Sequence, residues 1–462
     1  MAPKDHPVTE PILFRSTNGT ISDYTLGQAL LTGQAPDRGL FMPQRIPPQG
    51  PAELAQLVDK SYPEIAFAVL RRYTAGQFDD ETLRAICEDA YTYDVPIEKV
   101  QDRRYVLRLD MGPTASFKDF AARMMGRWIG RLVQPGEAPL VVLTATSGDT
   151  GSAVAQAFAG VPGIECMVLF PVAEVSDRQR KQMTTIGGNV STIGVDGKFD
   201  DCQAMVKRAF ADPALDGIRL TSANSINIGR LLPQSVYYVY AYLRLANVAA
   251  AERIVFSVPS GNFGDLCGGL LAHQAGLPVE RFVVATNAND EVPIFLDTER
   301  YQKIEPSRTC ISNAMNVGHP SNLARVVDLY GGHMDETGIL HRPPEMERIR
   351  RDMWSVPVDD AETRRTIAET WKDQQVMLEP HGAVGWAALN RYFAAGEASP
   401  EQLAVSLETA HPAKFPDEIR ALTGIEPELP PSLATIETLD ESYDRMDVDY
   451  DAFCTRLQKQ YE

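Results

Sequence analysis

Apolar positions along this 462-residue chain follow two regular patterns, and from about Tyr105 onward the two alternate. Short β-branched runs, VVLTA, CMVLF and VSTIGV, are each followed by helical spacing, at Asp149 to Ala159, Val175 to Ile186 and Phe199 to Phe210. The alternation resumes with IRLTS, a long helix expected from Ile228 to Ala249, and then IVFSV, FVVAT and AVSLET. Strand followed by helix, repeated, is the mark of parallel sheets built from βα units. An α/β fold is therefore predicted, with two open parallel-sheet units facing each other across a cleft. The core is expected over residues 101–430, with a smaller mobile unit at about 140–245 and a larger one at about 250–430. Residues 1–100 are turn-rich and then helical from Pro51 to Tyr93, which reads as an appended domain. Glu299 to Asp359 is rich in Pro, Gly and Arg without a clear period, and no fold is assigned to it. In the closing segment, 431–462, the stretch Asp440 to Asp451 holds six acids among aromatics, as expected of a solvated surface.

Composition narrows the function. Hydrophobic residues make up 44% of the chain, enough to build the cores of two or three domains. The formal net charge of −18 disfavours nucleic acid and anionic membranes as partners, so any anionic ligand must find a local cationic pocket. No apolar run approaches the roughly 20 residues of a membrane span. The start, MAPKDHPVTEP, lacks the apolar core of a signal peptide, and a cytoplasmic location is expected. Six cysteines form no Cys-x-x-Cys pair, and seven histidines show no metal-ligand spacing, so no catalytic metal is expected.

Chemistry enters with GPTASFKDF, Gly112 to Phe120. Phe120, Met124, Trp128 and Leu132 form one helical stripe that begins beside Lys118, while Arg123, Arg127 and Arg131 fall on a face suited to solvent. A lysine beside an apolar wall is desolvated, its pKa falls, and it becomes an amine nucleophile of the Schiff-base kind. The alternative for a single lysine is a snorkelling side chain in a first helical turn.

VPSGNFGDLCGG, Val258 to Gly269, runs from strand through a glycine turn into a helix expected from Leu266 to Ala275. Gly261 and Gly264 permit close backbone approach, and the N–H groups of Asn262, Phe263 and Gly264 can converge on an anion at the helix N-terminus. The sequence is neither G-x-G-x-x-G nor a Walker A loop, which counts against dinucleotides and nucleoside triphosphates. A plain βα connection is the alternative. TATSGDTGSA, Thr144 to Ala153, repeats the geometry with Ser147, Gly148, Asp149 and Thr150 at a helix start, where Ser and Asp serve equally as caps. NSINIGR, Asn224 to Arg230, and HPAKF, His411 to Phe415, bring the cations Arg230 and Lys414, either of which can bind phosphate or a surface carboxylate. Thr409 ends the AVSLET strand, at the edge where ligands of open α/β sheets collect.

Taken in order, GPTASFKDF, TATSGDTGSA, NSINIGR, VPSGNFGD, EPHGAV and ETAHPAKF resemble the threonine synthase family, in its microbial form with an N-terminal extension. YTLGQALLTGQAPDRGLFMP, Tyr24 to Pro43, resembles that extension. The resemblance spans about Tyr24 to about Thr423. It implies a fold type II enzyme that uses pyridoxal 5′-phosphate to convert O-phospho-L-homoserine and water to L-threonine and phosphate. It further implies that Lys118 tethers the cofactor and moves protons, and that Gly261, Asn262, Phe263, Gly264 and the side chain of Asp265 hold its phosphate. Thr409 is implied to meet the pyridine nitrogen. Ser147, Gly148, Asp149, Thr150, Asn227, Arg230 and Lys414 are the implied substrate residues. Where relatives of the fold carry Asn, Asp149 must point away from an anionic ligand, pair with a cation, or be protonated. The alternatives are a phospholyase releasing 2-oxobutyrate and a non-catalytic binding paralogue. A monomer or homodimer is expected.

Overall fold

The computed structural model describes residues 10–146 and 148–461. Two sheets dominate it. The larger orders its strands Met353–Pro357, Val279–Thr286, Ile254–Pro259, Ala404–Glu408, Arg104–Arg108 and Ile97–Gln101. All neighbours are parallel except the last pair, a hairpin whose reversal closes that edge. The smaller sheet is wholly parallel, in the order Asp444–Met446, Val190–Val195, Ile164–Pro171, Leu140–Ala145 and Arg219–Ser222. Leu140–Ala145 and Ile254–Pro259 are buried at every position, because helices cover both faces and leave no polar side to alternate with.

The helix Lys118–Leu132 lies at the centre of the molecule. Phe120, Ala121, Met124, Met125, Trp128 and Ile129 are fully buried, and Phe120 sits within 6 Å of Tyr62, Tyr91, Tyr93 and Tyr237. Those rings come from the N-terminal helix Tyr62–Thr74, from the segment just after the helix Asp80–Ala90, and from a later helix, Ser235–Leu245. The arginine face expected to meet solvent does so only at Arg131. Arg123 Nε donates to the Ala90 carbonyl at 2.7 Å, and Arg127 pairs with Asp89 at 2.7 Å, so both tie this helix to the C-terminal end of Asp80–Ala90. Helix period marks a polar face, but it does not say whether water or another helix's carbonyls will satisfy it.

Three expectations change. The long helix of 228–249 is divided into Ile228–Leu231, a tight turn at Leu232–Gln234, and Ser235–Leu245. Pro233 has no N–H to give and its ring crowds the preceding turn, which accounts for the break. Glu299 to Asp359 is ordered, with a helix Leu323–Leu329, a small hairpin of His333–Met334 with Leu340–Arg342, a helix Met346–Asp352 and the edge strand Met353–Pro357. The acidic tail is not merely a solvated surface. Asp444–Met446 adds an edge strand to the smaller sheet, and Tyr450–Tyr461 buries Phe453 and Leu457 against Cys202 and Met205. Two apolar residues four apart suffice to dock a helix whose remaining faces are polar. Among the described residues no helix is long and apolar enough to cross a membrane.

Candidate active site

The C-terminal ends of strands from both sheets surround one cavity of about 450 Å³. Its wall includes Lys118, Asp149, Arg230, Gly261, His381 and Thr409. Lys118 is held there by the turn before it. Thr114 donates through its N–H and hydroxyl to the two oxygens of buried Asp119 at 2.8 and 2.7 Å, and Phe117 N–H donates to the Thr409 carbonyl at 2.9 Å. The amine lies 4.5 Å from the centre of the Phe117 ring and 3.7 Å from Asp149 Oδ2. Burial lowers its pKa, Asp149 opposes that, and Lys414 and Arg230 add to it.

Opposite the amine, the strand Ile254–Pro259 passes through Ser260 to Phe263 into the helix Gly264–Ala275. Phe263 adopts a left-handed conformation, φ +63°, and the residues that open the helix, whose first N–H groups have no partner within it, line the cavity. Gly261 is packed by the backbone of Ala314 and Met315: a Cβ there would stand 2.9 Å from the Ala314 carbonyl oxygen and 2.8 Å from Met315 Cα. Asn262 braces the loop, donating to Ser225 Oγ at 2.6 Å and accepting from Ser321 N–H at 2.7 Å. Asp265 braces it from behind. Its carboxylate accepts the hydroxyls of Tyr237 and, at 2.6 Å, Tyr238, while burial pushes its pKa up to about 6.

The second helix start, at Asp149, is arranged differently. Gly148 has φ +134°, and Gln179 occupies the space a Cβ would need. Asp149 Oδ1 accepts from Lys414 Nζ at 2.6 Å and from Gln179 Nε2 at 3.0 Å, and the neighbouring cations hold its carboxyl far below the usual range despite burial. Thr150 lines the cavity, and Ser147 lies outside the described residues. Lys414 is fully enclosed, donating also to the Thr114 carbonyl at 3.0 Å. Asn227 is not brought to the cavity. It caps Ile228–Leu231 by accepting Gly229 N–H at 2.9 Å, and its amide donates to the carbonyls of Leu30 and Ser222, which leaves nothing for a ligand. Arg230 does reach the wall. One N–H is spent on the Ala223 carbonyl at 2.8 Å, Nε has no protein partner among the described residues, and burial lowers its pKa to about 10.

Comparison with known proteins agrees with this arrangement. A family model described as pyridoxal-phosphate dependent enzyme matches residues 95–409, flanked by threonine synthase N terminus over 13–91 and threonine synthase, C-terminal, over 382–455. Threonine synthase of Serratia marcescens is 39% identical over 417 residues, 89% of this chain and 90% of that one. The chain belongs to the threonine synthase family. The crystal structure of pyridoxal-phosphate-bound threonine synthase from Brucella melitensis superposes with a TM-score of 0.89 at 32% identity, covering 98% of this chain and 100% of that one. That of threonine synthase from Escherichia coli gives 0.86 at 34%, covering 97% and 100%. This threonine synthase family member is accordingly a fold type II, pyridoxal-phosphate-dependent lyase.

Its residues fit that cofactor on their own terms. A desolvated amine, an anion cradle that tolerates no Cβ at Gly261 and a strand-end hydroxyl at Thr409 line the same cavity. Behind Thr409 lies a buried group that the sequence motifs contain but whose placement they do not reveal. Glu379 Oε2 accepts the N–H of His381 at 2.8 Å and the proton of its Nδ1, which leaves Nε2 to accept Ala314 N–H at 3.1 Å. Glu379 Oε1 stands 3.5 Å from Thr409 Oγ1, and Glu379 N–H donates to buried Glu408 at 2.7 Å. One carboxylate thus connects the strand-end hydroxyl with the turn that packs on Gly261. The available signal was the pair of ionisable residues flanking Pro380 just before the apolar run AVGWAAL.

His411 carries a pH prediction. Burial, then the charges of Arg108 and Lys414, lower its pKa to about 4, and its neutral Nδ1 accepts Ala413 N–H at 3.1 Å. The unfolded chain binds this proton first, so the contribution is present above the unfolded pKa of roughly 6.5 and lost as pH falls toward the folded value. Acidification through that window should cost about 3 kcal/mol. His411→Asn keeps a cap acceptor without a titrating group. Its thermal midpoint should fall less than that of the parent chain between neutral and mildly acid buffer, and equal losses in both proteins would refute the assignment.

Proposed function

We propose that this chain converts O-phospho-L-homoserine and water to L-threonine and phosphate. The observation that supports it most is a desolvated lysine amine facing a glycine-loop anion cradle across one cavity, with a second cationic wall at Arg230. Pyridoxal phosphate, when bound, supplies the electron sink that lets protons leave the substrate's α-carbon and then its β-carbon. Lys118 would tether it, the backbone of Gly261 to Gly264 would take its phosphate, and Asp265 would hold that backbone through Tyr237 and Tyr238. Lys118 Nζ is the base at the substrate's α-carbon and then at its β-carbon. Arg230 receives the substrate's own phosphate, using donors not spent on Ala223. Thr150, with the loop of Ser147 and Gly148, is the proposed seat of the α-carboxylate. The cleft between the sheets keeps water away until phosphate has left.

The parts of the chain divide the labour. Residues 10–100 would buttress the helix that carries Lys118, the core expected over 101–430 would hold the reacting groups, and the tail from 431 to 461 would complete the smaller sheet. We propose that the chain works as a monomer or a homodimer in the cytoplasm.

Incubation with pyridoxal phosphate and O-phosphohomoserine, followed by identification of the organic product, tests the proposal. Threonine and phosphate in equal amounts are expected. Phosphate with 2-oxobutyrate would replace the reading by a phospholyase, and no product at all by a binding protein. Arg230→Ala should raise KM for phosphohomoserine roughly 10- to 100-fold, the loss of a charged hydrogen bond, with little change in cofactor affinity. An unchanged KM would remove Arg230 from the site.

A further inference from the structure

Two lysines and one aspartate, far apart in sequence, meet inside the protein. Asp149 begins the helix Asp149–Phe158, Lys414 follows the last strand of the larger sheet, and Lys118 begins the central helix. The two oxygens of Asp149 are used unequally. Oδ1 is filled by Lys414 at 2.6 Å and Gln179 at 3.0 Å. Oδ2 is buried, has no hydrogen-bond partner among the described residues, and lies 3.7 Å from Lys118 Nζ. Asp149 is the one carboxylate with an oxygen within 4 Å of that amine among the described residues. An ionised Asp149 cannot itself take a substrate carboxylate, which falls to the neighbouring Thr150 instead, and Lys414 cannot serve an anion because its ammonium is enclosed by Asp149 and the Thr114 carbonyl.

We propose that Asp149 is a positioning residue for Lys118 rather than a substrate ligand: its free Oδ2 holds the ammonium that Lys118 forms on taking a proton, and Lys414, bound to Oδ1, limits how tightly. The proposal rests on the reading of Lys118 as the reacting amine. When a substrate C–H bond breaks, its electron pair stays on carbon and the proton forms a new N–H bond on Nζ. Asp149 remains ionised throughout and accepts a hydrogen bond from the new ammonium. An ammonium held too tightly would not return its proton. Lys414 draws on the same carboxylate and so keeps the hold reversible. The other charged groups facing Lys118 are Arg230, Glu379 and Asp265, and His381 faces Asp149. None of these occupies Oδ2.

The two partners have opposite effects on Lys118, and this can be read without turnover. In the full-length chain freed of cofactor, cyanate carbamoylates only the neutral amine, and peptide mapping follows Lys118 through the neutral and alkaline range. Asp149→Asn should lower the midpoint of that titration by about one pH unit or more, since the ammonium loses its counter-charge. Lys414→Met should raise it, since a like charge is removed and Asp149 is freed for Lys118. Midpoints that stay put, or that move in the same direction, overturn the proposal. If Asp149→Asn does not fold, Lys414→Met decides alone: a rise supports the proposal and any other result overturns it. Borohydride trapping of the cofactor-loaded parent chain separates the two levels. A label on another lysine would sink the functional reading, whereas a label on Lys118 with unmoved midpoints would sink this proposal only.

Discussion

Lys118→Ala is expected to lose turnover by roughly a thousandfold or more while leaving the fold intact. The loss is large because the same Nζ serves as tether and as base at two carbon atoms. Lys414, the other buried lysine of the site, is fixed between Asp149 and the Thr114 carbonyl. The fold should survive because Asp149 retains Lys414 and Gln179, and because removing a desolvated cation relieves a burial cost rather than creating one. Two measurements check the prediction. Single-turnover product formation should disappear, and borohydride should no longer fix the cofactor to the protein. Residual turnover close to that of the parent chain would show that the amine is elsewhere.

Gly261→Ala should weaken cofactor binding about 10- to 100-fold, the equivalent of the 1–3 kcal/mol typical of overpacking. The new methyl would meet backbone on two sides, at Ala314 and Met315. That backbone cannot easily withdraw, because Ala314 N–H is bonded to His381 Nε2 and Met315 N–H to the Ser312 carbonyl. The glycine loop must therefore move, and its N–H groups leave their common focus. Gly264→Ala is the control. Its nearest neighbour would be Ser225 Cβ at 3.4 Å, an ordinary contact, so a much smaller loss is expected. Titration of each variant with pyridoxal phosphate, followed by absorbance, measures both. Equal affinities for Gly261→Ala and the parent chain would mean that the Ala314 turn yields.

The His381 contact also explains why parts of the site were not legible in the sequence. GPTASFKDF and VPSGNFGD announce themselves locally: an apolar stripe starts next to a lysine, and glycines interrupt a strand-to-helix turn. NSINIGR is ambiguous at the same level. Asn227 and Arg230 are three residues apart, yet one is consumed in capping a four-residue helix and the other reaches the cavity. The break that makes this helix so short depends on Pro233, which the apolar pattern alone overrides. The solvent face assigned to Arg123 and Arg127 failed for a related reason, since period reports polarity and not the identity of the partner.

Sequence by itself determined the βα order, the lysine at the head of a buried helix and the glycine turn suited to an anion. These follow from spacing over a few residues, where side-chain direction is set by the backbone repeat. Tertiary structure alone decided the docking of the acidic tail, the Glu379–His381 link from Thr409 to Ala314, and the joining of Lys118, Asp149 and Lys414. Such contacts bridge as many as 300 residues, as between Lys414 and Thr114. Which buried charge meets which is chosen when the sheets pack, because only then does losing water make each one require a partner.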